Sequence, residues 1–207
     1  MVCVTFPLIW VGGLVTTHTA GMAVPDWPST YGYNLFLYPW QQWFFGPWDL
    51  FVEHGHRLLG ATSGMVTIAL LISLWWCEDR RWLKWLGVVT LLAVIGQGML
   101  GGMRVIQDAR ELAKIHGCVG PAFFALCVAM ATFTSKRWRQ PEVVQQSPTT
   151  SKVRVLALST LILAYLQLVL GAHLRHLPIG FDQNAFRITL VMHIFVAVAL
   201  LVHGYAL

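Results

Sequence analysis

Six apolar stretches, at positions 2–17, 51–77, 82–103, 113–135, 155–174 and 185–207, take up most of this 207-residue chain. Crossing the roughly 30 Å hydrocarbon core of a bilayer takes about 20 apolar residues at about 1.5 Å of helical rise each. All six meet or approach that length, the first being the shortest. A water-soluble globule has nowhere to put them, since much of any folded surface must face solvent. Composition agrees: 57% of residues are hydrophobic and 11% are charged, where soluble domains carry about 25% charged residues. Disorder is excluded on the same grounds, because disordered chains are rich in charge and poor in aromatics. The expected fold is an all-α integral membrane protein, a bundle of about six transmembrane helices.

A cleaved signal peptide is the bland account of any N-terminal apolar run. Here no basic segment precedes the run, and Gly12-Gly13 suits close packing against another helix. Orientation follows from the Lys and Arg residues. Segments 78–84 and 136–154 hold 8 of the 14, Arg80, Arg81, Lys84, Lys136, Arg137, Arg139, Lys152 and Arg154, against three acids, a balance of +5. On the other side six basic residues face six acids, so the whole formal charge of +5 lies on one side. The positive-inside rule makes that side cytoplasmic, with the N-terminus inside and the 18–50 loop outside. A pI near 9.3 is then a topology signal, and no nucleic-acid partner is expected.

The polar segment 140–151, rich in Pro, Ser and Thr, reads as a flexible cytoplasmic linker. It divides the chain into a four-helix half over 1–135, a linker over 136–153 and a partial second half of two helices over 154–207. The outer loop carries Trp27, Trp40, Trp43, Trp48, Tyr31, Tyr33 and Tyr38, which suit an aromatic belt at the headgroups. Cys3, Cys77, Cys118 and Cys127 show no metal-ligand spacing and read as small core residues.

An internal echo runs through the apolar stretches. The third and fifth share a Gln-x-x-Leu-Gly pattern, Gln97–Gly101 and Gln167–Gly171, and the second, fourth and sixth each carry a histidine near their outer end: His56, His116 and His193. Ionisable groups inside a membrane are costly and usually functional. A lone histidine near a helix end is ordinarily hydrogen-bonded and unliganded, and His18, His54, His173 and His203 are read that way. Three at matched depth in alternate helices point further. Two neutral imidazoles on facing helices can ligate an iron porphyrin from both sides, which makes His56 and His116 candidate haem ligands. Glu53 and His56 are i and i+3, so they share a helix face. Glu53 is either an acid favoured by the helix N-terminus or a group placed to move protons beside the haem. Arg57 or Arg104 could pair with the haem propionates.

Taken together, Gly12-Gly13-Leu14-Val15, the Pro25-Asp26-Trp27-Pro28 loop, Glu53-His54-Gly55-His56-Arg57, Gln97–Gly102, the His116 helix and Leu170–His176 resemble the haem A synthase family. The resemblance implies an eight-helix fold of two similar halves, each holding a haem between histidines of its even helices. It implies oxidation of a ring methyl of haem O, the substrate, to a formyl group, giving haem A for cytochrome c oxidase, with haem b as cofactor. Glu53 would be the essential carboxylate, His56 and His116 the ligands of the N-terminal haem, and His193 a ligand of the C-terminal one. The implied setting is a bacterial-type plasma membrane or the mitochondrial inner membrane, with the haem residues toward the outer side. Haem O synthase, oxidase assembly proteins, the lipid bilayer and an electron donor would be its partners. Thr16 stands where family members often carry arginine, and Val24 and Thr30 where many carry a cysteine pair. Six spans against a pattern of eight leave the C-terminal haem site expected as half-built. The rival readings are a b-type cytochrome that only carries electrons and a non-catalytic haem-binding assembly factor.

Overall fold

A computed structural model describes residues 1–139, 148–178 and 180–206. These form helices α1 (Val2–Thr17), α2 (Trp40–Phe44), α3 (Trp48–Cys77), α4 (Arg81–Ile106), α5 (Arg110–Thr134), α6 (Lys136–Arg139), α7 (Pro148–Arg175) and α8 (Gln183–Ala206), with a short 3₁₀ turn at Ala20–Met22. Among the described residues no strand forms; Thr30 and Tyr33 make an isolated bridge. The all-helical membrane class expected from the sequence is therefore what the chain adopts. Five helices are long and apolar enough to cross a membrane, namely α3, α4, α5, α7 and α8. The first apolar stretch is shorter than the rest: α1 has 16 residues, about 24 Å of helix, and contains Pro7.

The chain divides into two compact units, Met1–Arg139 and Gln140–Leu207. In the first, α1 packs on α3, α3 on α4, α4 on α5 and α5 back on α1, closing a four-helix ring in which α3 and α5 are diagonal. Three-residue connections, 78–80 and 107–109, force the neighbouring long helices antiparallel. In the second unit α7 packs against α8. Of the expected linker, residues 140–147 lie outside the described residues. Its flanks are helical, as α6 and as the start of α7.

The first unit carries more polar side chains inside and more apolar ones outside than a soluble bundle does. Among its buried residues are the small polar Thr5, Ser63, Thr67 and Thr90. Thr5 Oγ1 meets Ser63 Oγ at 3.3 Å and Cys127 Sγ at 3.7 Å, joining α1, α3 and α5. Large apolar residues such as Ile68, Ile72, Leu92 and Ile95 face outward. This is what lipid selects, because hydrocarbon tails give no hydrophobic gain for burying leucine and close packing of small residues does the work instead. Cys127 is the one buried cysteine among the four; Cys3 and Cys77 are exposed, so the core role expected of them does not hold.

The two ends of the ring differ. At the 78–80 end, Leu74, Leu83 and Met130 form an apolar plug. Beside it the half-exposed Arg80 grips Glu78 through Nε at 2.8 Å and Nη2 at 2.9 Å, while Arg139 Nη2 reaches the same carboxylate at 2.9 Å. These bonds hold the Glu78 carboxyl down at about 2, chiefly through the Arg80 side chain. The opposite end gathers the long 18–47 loop, the first turns of α3 and α5 and the last turn of α4. Nearly all the residues singled out in the first unit lie there.

Candidate functional site

The loop builds the roof of the site. Asp26 folds it: its carboxylate accepts from Ser29 Oγ at 2.5 Å and from the Tyr31 and Gly32 amides, both at 2.8 Å. The turn runs through positive φ at Tyr31 (48°) and Gly32 (80°), a region that glycine enters without strain. Partial burial raises the Asp26 pKa, but the bonds from Gly32, Ser29 and Tyr31 outweigh it and hold the carboxyl below its usual value. Trp27 lies over Gly102 in the last turn of α4, so closely that any side chain there would overlap its indole. Thr30 Oγ1 and His54 Nδ1 share a buried 2.9 Å hydrogen bond, and Tyr38 and Trp43 pack on the His54 ring. The aromatic residues thus split into two sets. Trp40, Phe44, Phe45 and Trp48 are exposed, as a headgroup belt requires. Trp27, Trp43 and Tyr38 are instead spent inside, bracing the loop against α3 and α4.

Arg57 ties this roof to the site helix. Its Nη1 donates to the Asp26 and Ser29 carbonyls at 2.6 and 2.8 Å, its Nη2 to the Val24 carbonyl at 2.8 Å, and its Nε to Glu53 Oε1 at 3.2 Å. Four of its five donors are occupied, which leaves little for the propionate anchoring expected of it. Arg104 is differently placed. It lies against Gly21, and its Nη2 stands 3.5 Å from Glu53 Oε2. Glu53 is 1% exposed and sits between the two guanidinium groups, with Oε2 lacking a hydrogen bond at normal geometry. A buried carboxylate flanked by two cations can hold its charge and still has one oxygen oriented for another partner.

Beneath Glu53 stand the two histidines. His56 comes from α3 and His116 from the diagonal helix α5, and their ring centroids are 6.4 Å apart with planes at 87°. Imidazoles on opposite sides of one metal stand roughly 6.3 Å apart at their centroids, taking metal–nitrogen bonds of about 2.0 Å. The spacing of the pair therefore matches what one metal held between two imidazoles would need. His116 Nδ1 donates to the Gln97 carbonyl at 3.1 Å, and Gln97 Nε2 donates to the His116 carbonyl at 2.8 Å. A carbonyl only accepts, so the His116 proton is at Nδ1 and the Nε2 lone pair is open to a metal. His56 Nδ1 is buried and makes no hydrogen bond of normal geometry. Gly60 and Gly64, one and two turns along from His56, have open space where a Cβ would stand. Among the described residues no group of three or more metal-ligating side chains occurs, so a metal held here needs a ligand that brings its own donors, as a macrocycle does.

His193, the third histidine of the echo, lies in the second unit, where Gln167 Nε2 contacts its Nε2 at 3.2 Å and its Nδ1 is buried without a partner. The histidines read as unliganded have ordinary partners: His18 packs on Trp48, His173 on Phe181, and His203 Nδ1 bonds the Ala199 carbonyl at 2.8 Å. Sequence reasoning named Arg104 as a propionate partner but missed its contact with Glu53, and it missed the role of Gln97 and the bond from Thr30 to His54. The repeated Gln-x-x-Leu-Gly pattern was the available signal for Gln97.

A family model described as cytochrome oxidase assembly protein (COX15-CtaA) matches residues 47–190. A haem A synthase of Symbiobacterium thermophilum is 33% identical over 179 residues, which cover 82% of this chain and 55% of that protein. The chain thus spans about half the length of this curated relative. No solved structure matches.

Proposed function

Because the chain belongs to the COX15-CtaA family of cytochrome oxidase assembly proteins, we propose that it is a haem A synthase acting on haem O. In this reading a ring methyl becomes, through hydroxylation steps, the formyl group of haem A for cytochrome c oxidase. The observation that carries the reading is the 6.4 Å pairing of His56 with His116 directly beside a buried carboxylate. When bound, the iron porphyrin supplies the redox chemistry.

The protein's own residues hold the macrocycle and manage protons. His56 and His116 would hold the haem iron, with the His116 ring fixed by Gln97. Glu53, one turn from His56, accepts the proton released at the oxidised methyl through Oε2, which makes no hydrogen bond of its own. Arg57 and Arg104 flank that carboxylate. Arg104 is also the guanidinium with donors to offer a propionate, a role transferred to it because Arg57 is committed to the loop. The loop itself excludes water from this end of the ring, with Trp27 seated on Gly102. His193, with Gln167 beside it, is the candidate ligand for haem b. Charge places the N-terminus in the cytoplasm and Glu53, His56 and His116 toward the outer side of a plasma or mitochondrial inner membrane. There an electron donor and oxidase assembly proteins would meet the enzyme.

Co-expression with a haem O synthase, followed by chromatography of the extracted haems, tests the reading. A formyl-bearing haem is the expected product. Haem O accumulating unchanged in membranes that hold the stably inserted chain would overturn it.

A further inference from the structure

Three glycines stand in the same relation to three histidines. A Cβ on Gly12 would come 2.9 Å from Cε1 of His56, one on Gly101 would come 2.9 Å from Cε1 of His116, and one on Gly171 would come 3.1 Å from Cε1 of His193. The Nδ1 atoms lie 3.4, 3.3 and 3.8 Å away and the Nε2 atoms 3.6, 3.5 and 3.7 Å, so it is the Cε1 corner between the two nitrogens that rests on the glycine each time. In each case the glycine belongs to a helix packed against the one that carries the histidine: α1 against α3, α4 against α5, α7 against α8. Other glycines on the same helices behave differently. Gly13 in α1 and Gly96 and Gly98 in α4 have nothing within 4 Å of a Cβ position.

We propose that Gly12 and Gly101 are positioning residues for the two haem ligands, each leaving a notch that seats the Cε1 corner of its imidazole. The inference rests on the haem-binding reading of His56 and His116 given above. A second observation supports it. His193 Nδ1 is buried without a hydrogen-bond partner, and His56 Nδ1 makes no hydrogen bond of normal geometry although the Leu8 backbone lies close enough to act on it. A metal-bound histidine is ordinarily fixed in rotation by a bond from its other nitrogen. Where that bond is lacking, the shape of the neighbouring helix is what sets the ring. The Gly171–His193 pair repeats the device in the second unit.

The consequence of filling the notch is specific. At 2.9 Å an added methyl cannot coexist with the ring, and the group that yields is the end of a flexible side chain and not backbone. Alanine also suits a helix better than glycine, so the bundle is expected to form with the imidazole pushed aside. Ligand geometry tolerates little of this, since productive sites are held within about 0.5 Å.

The test uses the full chain loaded with haem in detergent, read by visible absorption and electron paramagnetic resonance. G12A and G101A are compared with G13A and G98A, with far-UV circular dichroism reporting the fold. Wild type and the two controls should show the low-spin signal of two axial imidazoles. G12A and G101A should bind haem about tenfold more weakly and shift toward high spin. To separate a displaced ring from a distorted bundle, free imidazole is added to H116G and to the double variant G101A/H116G. An untethered ring can settle beside the methyl, so both should recover the low-spin signal. Unchanged spectra in G12A and G101A overturn the proposal, as does rescue of H116G without rescue of the double variant. A wild-type chain with no bis-imidazole signal would remove the haem reading itself, and the positioning role with it.

Discussion

Arg57 Nη1 donates to the backbone carbonyl of Asp26 at 2.6 Å, a bond that spans 31 residues of sequence and joins the loop to the site helix. Because the same guanidinium also bonds Glu53, the loop's shape and the carboxylate's position are coupled.

Arg57→Gln should loosen both. Breaking a buried charge pair costs roughly 3–5 kcal/mol, and the Val24, Asp26 and Ser29 carbonyls lose their common donor. Hydrogen exchange should show faster turnover of the Tyr31 and Gly32 amides, with the 78–80 end unaffected. Exchange in the loop matching wild type would show that the staple is not what holds it.

Glu53→Gln keeps the shape of the side chain and removes its charge. Haem extraction after co-expression with a haem O synthase should show conversion reduced by about 10²-fold or more, the usual scale of a lost proton-transfer group. The low-spin spectrum should persist, because His56 and His116 are untouched. An electron carrier would instead convert no haem O in either form and keep its redox function in this variant, so redox function retained without conversion would favour that class.

His116→Ala should abolish the bis-imidazole spectrum, and Gln97→Leu should weaken it without abolishing it. Outer partners of a metal-bound histidine are typically worth about 10–100-fold in affinity. Spectral titration with haem measures both, and a Gln97→Leu curve that overlays wild type would exclude an orienting role.

Much of this was readable beforehand, and the unreadable part has a physical cause. The long helices follow from apolar length alone. The meeting of His56 and His116 follows from matched depth in alternate spans, because α3 and α5 run the same way on the diagonal of one closed ring. The repeated Gln-x-x-Leu-Gly pattern marks a real contact, Gln97 with His116. The target of Arg57 was hidden, since a backbone carbonyl leaves no trace in residue identity. Trp27 looked like a headgroup residue because nothing local distinguishes it from Trp40; only the missing side chain of Gly102, 75 positions on, makes room for it. The bond from Arg139 to Glu78, 61 positions apart, was equally out of reach.

The Glu78 clasp predicts an acid limit at the other end of the ring. Its carboxyl is held at about 2 in the folded protein, against an ordinary 4.5. The stabilisation is therefore fully present above about 4.5 and is lost as pH falls toward about 2. Melting temperatures in detergent should fall across that window for wild type and vary less for Glu78→Gln. Identical pH profiles would rule the clasp out as the acid-sensitive element.

The outward rows of Ile68, Ile72, Leu92 and Ile95 invert the usual meaning of a surface mutation. In a water-soluble bundle a charged residue at such positions is tolerated and a change in the interior is punished. Here the interior already holds buried hydroxyl groups, while the exterior has hydrocarbon for a solvent. The surrounding lipid or detergent is then a component of the native state, and the stability of this protein is defined only together with the medium that wets its sides.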